Sequence, residues 1–182
     1  MDEKNVQKVI TPRDELVRFS YAHVFEPTSM EEGQPKKYSV SILIPKGNKK
    51  TLKLIETAMD AAKQAGKSMW NNKIPAAFTH ELLRDGDVER PDDPNYEGCY
   101  YINAKSTQKP RVIDTTGAEL LTNDDFYSGC YGCVSFTVYP YAKGSKGIAA
   151  GLHNILKVED GEKLGGGSSA YEDFGIEHDD LL

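Results

Sequence analysis

Tyr38-Ser39-Val40-Ser41-Ile42-Leu43-Ile44-Pro45 is the stretch that decides the fold. Tyr38, Val40, Ile42 and Ile44 fall on one face and the two serines on the other, the period of a half-buried strand, and Pro45 ends the run. The same alternation recurs on both sides. Arg18 to Phe25 alternates. Tyr100 to Lys105 sets Tyr100, Ile102 and Ala104 against Tyr101, Asn103 and Lys105. Arg111 to Asp114 resumes after the Lys109-Pro110 break. Cys133 to Tyr141 turns Val134, Phe136 and Val138 inward and leaves Ser135, Thr137, Tyr139 and Tyr141 opposite. A last strand, Gly147 to Val158, follows the turn Lys143-Gly144-Ser145-Lys146. One stretch keeps another period: Leu52, Ile55, Met59 and Ala62 recur at three and four within Thr51 to Ala65. Asn48 or Thr51 is available to cap the start and Gly66 to end it, which predicts one amphipathic helix.

Five or so short strands with one inserted helix and Gly/Pro-rich turns predict a mainly β chain. The strands must close on themselves to hide their edges, and a five-stranded OB barrel does so. The chain of 182 residues, 38% of them apolar, is long enough for one domain with a proper core. That domain is expected over residues 1–163, followed by a linker and tail over 164–182. The polar start Met1-Asp2-Glu3-Lys4-Asn5 and the lack of a long apolar run predict a cytoplasmic protein without a membrane span. Three cysteines fit a reducing compartment.

Charge then narrows the function. Net charge is -6 from 22 basic and 28 acidic side chains. The tail Tyr171 to Leu182 holds five carboxylates and no Lys or Arg, so residues 1–163 are nearly neutral. Within them the distribution is uneven. Gly33 to Ile55 has six lysines and no acid, and Ser128 to Val158 has three lysines and no acid. Acids crowd into Glu81 to Glu97. Basic strands set against an acidic loop are the footprint of an anionic ligand.

The ten tyrosines and six phenylalanines often stand beside those lysines. Base stacking on aromatic rings with ammonium groups on the phosphates is the chemistry by which OB barrels hold single-stranded nucleic acid. The candidate contact residues are Lys36, Lys37, Tyr38, Tyr101, Lys105, Lys109, Arg111, Tyr139, Tyr141, Lys143 and Lys146. In the tail, Glu172, Asp173, Glu177, Asp179 and Asp180 mimic a phosphodiester backbone, while Phe174, Leu181 and Leu182 are apolar anchors. Gly165-Gly166-Gly167-Ser168-Ser169 tethers this stretch, whose composition predicts disorder.

Other chemistry fits less well. Cys130-Tyr131-Gly132-Cys133 is a CxxC with Cys99 and His23, His80, His153 or His178 as further zinc ligands, but a three-residue offset on a strand sends the two sulfurs to opposite faces. Asp85, Asp87, Asp92, Asp93, Asp124 and Asp125 are the carboxylates a metal-dependent nuclease would use. They sit in turn sequences such as Asp85-Gly86-Asp87 rather than on rigid elements. No GxxxxGK[ST] or nucleophile elbow is present. The expectation is a binding protein that is not an enzyme and needs no metal or cofactor. An adaptor acting through its tail alone is the other alternative.

Tyr38 to Pro45, Glu97-Gly98-Cys99-Tyr100-Tyr101-Ile102-Asn103-Ala104-Lys105-Ser106, Tyr127 to Cys133, Tyr139-Pro140-Tyr141 and Lys146 to Ile155 together resemble the Enc34-like single-stranded DNA-binding proteins of bacteriophages. More distantly they are similar to the T7-type phage protein of the same function. The resemblance covers most of residues 15–165. It implies an OB-fold core, DNA along the barrel face, and an acidic tail that competes with DNA and recruits replication or recombination enzymes. It also implies action in the host cell cytoplasm, and it leaves a homodimer open. The T7-type tail ends in an aromatic residue, whereas this one ends in Leu181-Leu182 with Phe174 further back.

Overall fold

Among the described residues the chain forms eight strands, five of which close into a ring. The computed structural model describes residues 7–29, 31–164 and 174–175. The strands are β1 (Gln7–Ile10), β2 (Val17–Thr28), β3 (Lys37–Pro45), β4 (Arg84–Asp85), β5 (Cys99–Ser106), β6 (Arg111–Asp114), β7 (Tyr131–Tyr141) and β8 (Gly147–Glu159). Two helices, α1 (Lys49–Gly66) and α2 (Gly86–Glu89), lie between β3 and β5. β2 pairs antiparallel with β3, and β3 with β5. β5 runs parallel to β8 through Ala104↔Ala150 and Lys105↔Gly151. β8 pairs antiparallel with β7, and β7 returns to β2 through Val17↔Gly132 and Arg18↔Tyr131. That circuit is a closed five-stranded OB barrel, as the alternation predicts. β1, β4 and β6 are additions, on β7, β5 and β8 respectively.

The inward faces are those the sequence assigns. Val40, Ile42 and Ile44 of β3 and Val134, Phe136 and Val138 of β7 are all buried in one cluster with Phe19, Ile102 and Ala104. β7 crosses β8 so closely that a Cβ on Gly132 would stand 1.9 Å from the Leu156 carbonyl oxygen. Only glycine lets the two backbones approach that far.

Helix α1 packs on β7 and β1 through Thr51, Ile55, Ala58 and Ala62. Of the expected face, Leu52 and Met59 are only half-buried. The cap also differs from expectation. Asn48 stands at the N-cap without a side-chain cap bond, and its Nδ2 donates to the Leu16 carbonyl at 3.0 Å. Glu15 supplies the cap from the preceding loop: Oε1 accepts from Thr51 N at 2.7 Å and Oε2 from Lys50 N at 3.2 Å. A carboxylate there satisfies orphan donors and meets the positive end of the helix dipole. Gly66 ends the helix where Trp70 and Pro140 leave no room for a side chain. Buried Trp70 donates its Nε1–H to the Tyr141 carbonyl at 3.0 Å and so buttresses the end of β7. Among the described residues, no helix is long and apolar enough to cross a membrane.

Candidate nucleic-acid interface

Pairing of β3 with β5 builds the face on which the candidate residues converge. Alternation sends Ser39, Ser41 and Leu43 outward, and the register sets them opposite Lys105, Asn103 and Tyr101. Ser41 donates to Asn103 Oδ1 across the pair. At the hairpin end this face opens into a cleft of about 180 Å³ lined by Thr28, Ser29, Gln34, Pro35, Lys37, Ser39 and Lys105. Two predicted residues, Lys37 and Lys105, therefore share one cleft. Thr28, Gln34 and Ser39 were not among the predicted residues. Ser39 was legible as an outward neighbour of Val40, whereas Thr28 and Gln34 reach the cleft only through the hairpin fold.

The hairpin carrying Lys36 borders the cleft, and the Lys105↔Gly151 pair leads from it to β8. On β7, Tyr139 and Tyr141 stand opposite Ala149 and Gly147. The small residues give the rings a floor: a Cβ on Gly147 would meet Tyr141 Oη at 2.4 Å, and one on Gly151 would meet the Tyr139 ring at 3.6 Å. Both tyrosines are half-buried, and burial pushes the Tyr139 phenol up. Lys143 and Lys146 are exposed in the β7–β8 hairpin. Among the described residues no carboxylate lies within ion-pair distance of Lys36, Lys37, Lys143 or Lys146. In an OB barrel the second and third strands and the two hairpin loops beside them form the binding surface. In this chain those are β3, β5 and the loops bearing these lysines.

Other predicted residues are placed differently. Tyr38 belongs to the inward face, half-buried at its end opposite Ser106. Lys109 stands 6.0 Å over the Phe25 ring, and Arg111 faces Glu119 at 3.9 Å. Neither lines the cleft.

Tyr101 requires a correction. It points outward, yet it is only 2% exposed, so its ring is not a free stacking platform. Residues 84–98, comprising β4, α2 and a 3₁₀ turn at Pro94–Tyr96, fold over this end of the face. Tyr96 packs edge-on against Tyr101 at 5.0 Å, and with Leu43 they form a small separate cluster. Tyr101 Oη donates to Glu89 at 2.8 Å. Arg90 spreads its guanidinium over Tyr96, Tyr21 and Tyr101 at 5.0, 5.5 and 5.9 Å. Period two identifies a face of a sheet but not the layer that lies on it.

The acids of this cover hold its shape. Asp85 caps α2 by accepting from Asp87 N, and Asp93 caps the 3₁₀ turn by accepting from Asn95 N, both at 3.0 Å. The Lys46 ammonium sits between Asp85 and Asp87 at 2.9 and 2.8 Å. Lys46 and the Gly98 N–H hold the Asp87 carboxyl below the usual carboxylate range. A lysine occupies the position between these carboxylates that the nuclease reading reserves for a cation. Cys130 Sγ donates to the Tyr127 carbonyl inside the barrel, whereas Cys133 Sγ faces the Pro12 carbonyl at 3.7 Å. Burial pushes these two thiols and that of Cys99 up.

Leu164 donates its N–H to the Ser128 carbonyl at 2.8 Å, and Glu162 O accepts from Arg18. Phe174 is 76% exposed. Glu172, Asp173, Glu177, Asp179, Asp180, Leu181 and Leu182 lie outside the described residues, as does the Gly165 to Ser169 tether.

Residues 7–182 match the family described as the single-stranded DNA-binding protein of Enterobacter phage Enc34. Protein p50 of Acyrthosiphon pisum secondary endosymbiont phage 1 is 32% identical over 168 residues, spanning 87% of this chain and 89% of that protein. Among solved structures, the single-stranded DNA-binding protein from bacteriophage Enc34 in complex with single-stranded DNA superposes with a TM-score of 0.68. It is 30% identical and covers 90% of this chain and 91% of that one. Bacteriophage T7 gp2.5, a single-stranded DNA-binding protein, shares the fold with a TM-score of 0.58 at 15% identity, covering 92% and 94%. The chain belongs to the Enc34 single-stranded DNA-binding protein family.

Proposed function

We propose that this chain binds single-stranded DNA with little dependence on base sequence, along the outer face of β3 and β5 and onto the β7–β8 hairpin. The observation that carries this reading is the cleft that joins Lys37 and Lys105 across Ser39, near hairpin lysines with no carboxylate partner among the described residues. Family membership supports the same ligand. Lys36, Lys37, Lys105, Lys143 and Lys146 take phosphates, and Tyr139 offers a ring on the same outer surface. The role is protective rather than catalytic: coating single strands during phage DNA replication and recombination in the host cytoplasm. Residues 164–182 act as a separate tail that competes with DNA for the basic face and recruits partner enzymes through Phe174 and the terminal leucines.

Titration of a labelled oligonucleotide tests this directly. Five phosphate contacts at a slope of about 0.7 each predict a loss of roughly a hundredfold in affinity between about 50 and 200 mM salt. Replacing Lys37 and Lys105 together by Ala removes two contacts and lowers the slope by about 1.4. Equal affinity for duplex, or binding indifferent to salt, refutes the proposal.

A further inference from the structure

Tyr21 is an aromatic residue whose placement the barrel alone does not explain. It lies on β2 at an irregularity in the β2–β3 pairing, between the Ser20↔Ser41 and His23↔Ser39 pairs. Its φ is 46°, in the left-handed region that an aromatic side chain rarely adopts. It is nevertheless 51% exposed, so this strained backbone does not serve to bury the ring. Strained backbone is held mostly at functional sites, where the surrounding structure over-determines it, so the exposed ring is a candidate ligand contact.

Arg90 supplies the second, independent observation. Its backbone is fixed by the cover segment: Arg90 N donates to the Gly86 carbonyl at 2.9 Å and its own carbonyl accepts from Asp93 N at 3.1 Å. Acids surround it in sequence, and Asp87, Asp92, Asp93 and Glu97 line a pocket together with Arg90 itself. Even so, no carboxylate among the described residues lies within ion-pair distance of its guanidinium. The guanidinium instead turns onto Tyr21, with its ring centroid 5.5 Å away and Nη1 donating to the Tyr21 hydroxyl at 3.3 Å. An arginine held by an aromatic face keeps most of its hydrogen-bond donors for an anion.

The two residues also stand in the right place. The row His23–Ser39–Lys105 crosses from β2 to β5, and Ser20–Ser41–Asn103 is the next row along. Ser20 and Ser41 of the second row are buried, while His23, Asn103 and Lys105 are exposed, so the open polar side chains of the two rows lead from the Lys37–Lys105 cleft towards Tyr21 and Arg90. We propose that Tyr21 and Arg90 form a nucleotide subsite, Tyr21 stacking on one base and Arg90 holding an adjacent phosphate. The subsite extends the track of the single-stranded DNA beyond the lysine cleft, and it rests on the DNA-binding reading above. The acidic cover thereby contributes a cation to the face it partly hides.

The full chain and four variants, Tyr21→Gly, Tyr21→Phe, Arg90→Gln and Lys37→Ala/Lys105→Ala, test the inference by oligothymidylate titration across a salt series and by thermal melting. Glycine accepts a φ of 46° freely, so Tyr21→Gly should melt at or above the wild-type temperature. It should bind DNA about 5- to 150-fold more weakly with an unchanged salt slope, because a stacking contact is lost. Tyr21→Phe should retain affinity. Arg90→Gln should flatten the slope by about 0.7. An oligonucleotide carrying 5-iodouracil should photo-crosslink to Tyr21, a result that a merely structural role would not give. Wild-type affinity in Tyr21→Gly, or a fall in its melting temperature, overturns the subsite while the lysine variants still report on the main reading. A full chain that binds no oligonucleotide overturns that reading and the subsite with it.

Discussion

Replacing Tyr101 by Ala separates the structure from the simplest reading of its sequence. The ring fills the space between Leu43 and Tyr96, and aromatic-to-Ala changes in packed sites cost about 3–5 kcal/mol. The cluster is small and lies under a segment that can partly collapse onto the gap, which argues for the lower end, about 3 kcal/mol. Loss of the hydroxyl bond to Glu89 adds less than about 1 kcal/mol, since the Glu89 side chain is 43% exposed and water replaces the bond. For a chain of this size each kcal/mol moves Tm by roughly 2–4 °C, so Tyr101→Ala should melt about 6–12 °C lower. Tyr101→Phe keeps the edge-on packing against Tyr96 and should melt within about 4 °C of wild type. Calorimetry on both variants, paired with oligonucleotide titration at temperatures where each is folded, checks the reasoning. An unchanged Tm for Tyr101→Ala together with a large loss of DNA affinity would show that the ring is a free stacking platform and that the cover does not sit on it.

Gly132→Ala places a methyl group 1.9 Å from the Leu156 carbonyl oxygen and should cost about 3 kcal/mol or more, read as a fall in Tm or loss of soluble protein. Asp87 is held ionised in the folded chain by Lys46 and the Gly98 N–H, so its contribution is complete above the ordinary carboxylate range near about 4 and is lost as pH falls through its lower folded value. The Tm gap between wild type and Asp87→Asn should therefore be full at neutral pH and close in acid, and a gap that does not change down to about pH 2 would contradict the assignment. Taking Lys163 to Leu182 as the tethered tail of the proposal, a chain of 19 residues would reach about 25 Å and act at an effective concentration of millimolar order. Deleting Tyr171 to Leu182 should raise DNA affinity at low salt, the gain shrinking as salt screens the competition; unchanged low-salt affinity refutes the tail proposal.

What the sequence made legible follows from which interactions are local. Alternation in Tyr38 to Ile44 and Cys133 to Tyr141 reports the two sides of a strand, and it assigns the inward triads of β3 and β7 correctly. The three-and-four spacing of Leu52, Ile55, Met59 and Ala62 likewise places α1 to within two residues at its start. β1 was missed because four residues with one buried side chain, Val9, carry no period. The α1 cap was misassigned because its donor set is satisfied by Glu15, 36 residues earlier. Tyr101 was misread for the same kind of reason. Its outward orientation is local, but the segment that buries it is held by Lys46 on Asp85 and Asp87, a contact between residues 41 apart in the case of Asp87.

Pairing geometry, more than composition, explains how a chain of net charge -6 can present a basic face. Asp85, Asp87 and Asp93 are engaged as caps and ion-pair partners within the cover, and Glu15 caps α1. Asp14 takes Lys50, and Asp160 takes Lys157 at 2.7 Å. Carboxylates satisfied in this way contribute little field beyond their own partners at physiological salt, where screening acts within about 8 Å. The hairpin lysines Lys36, Lys37, Lys143 and Lys146 have no such partners among the described residues; Lys37 lines the cleft, Lys36 precedes it in the same hairpin, and Lys143 and Lys146 sit in the β7–β8 hairpin. On the proposed DNA face the local potential is set by these lysines together with Lys105, while Asp85, Asp87, Asp93 and Glu15 hold the cover and the helix in place.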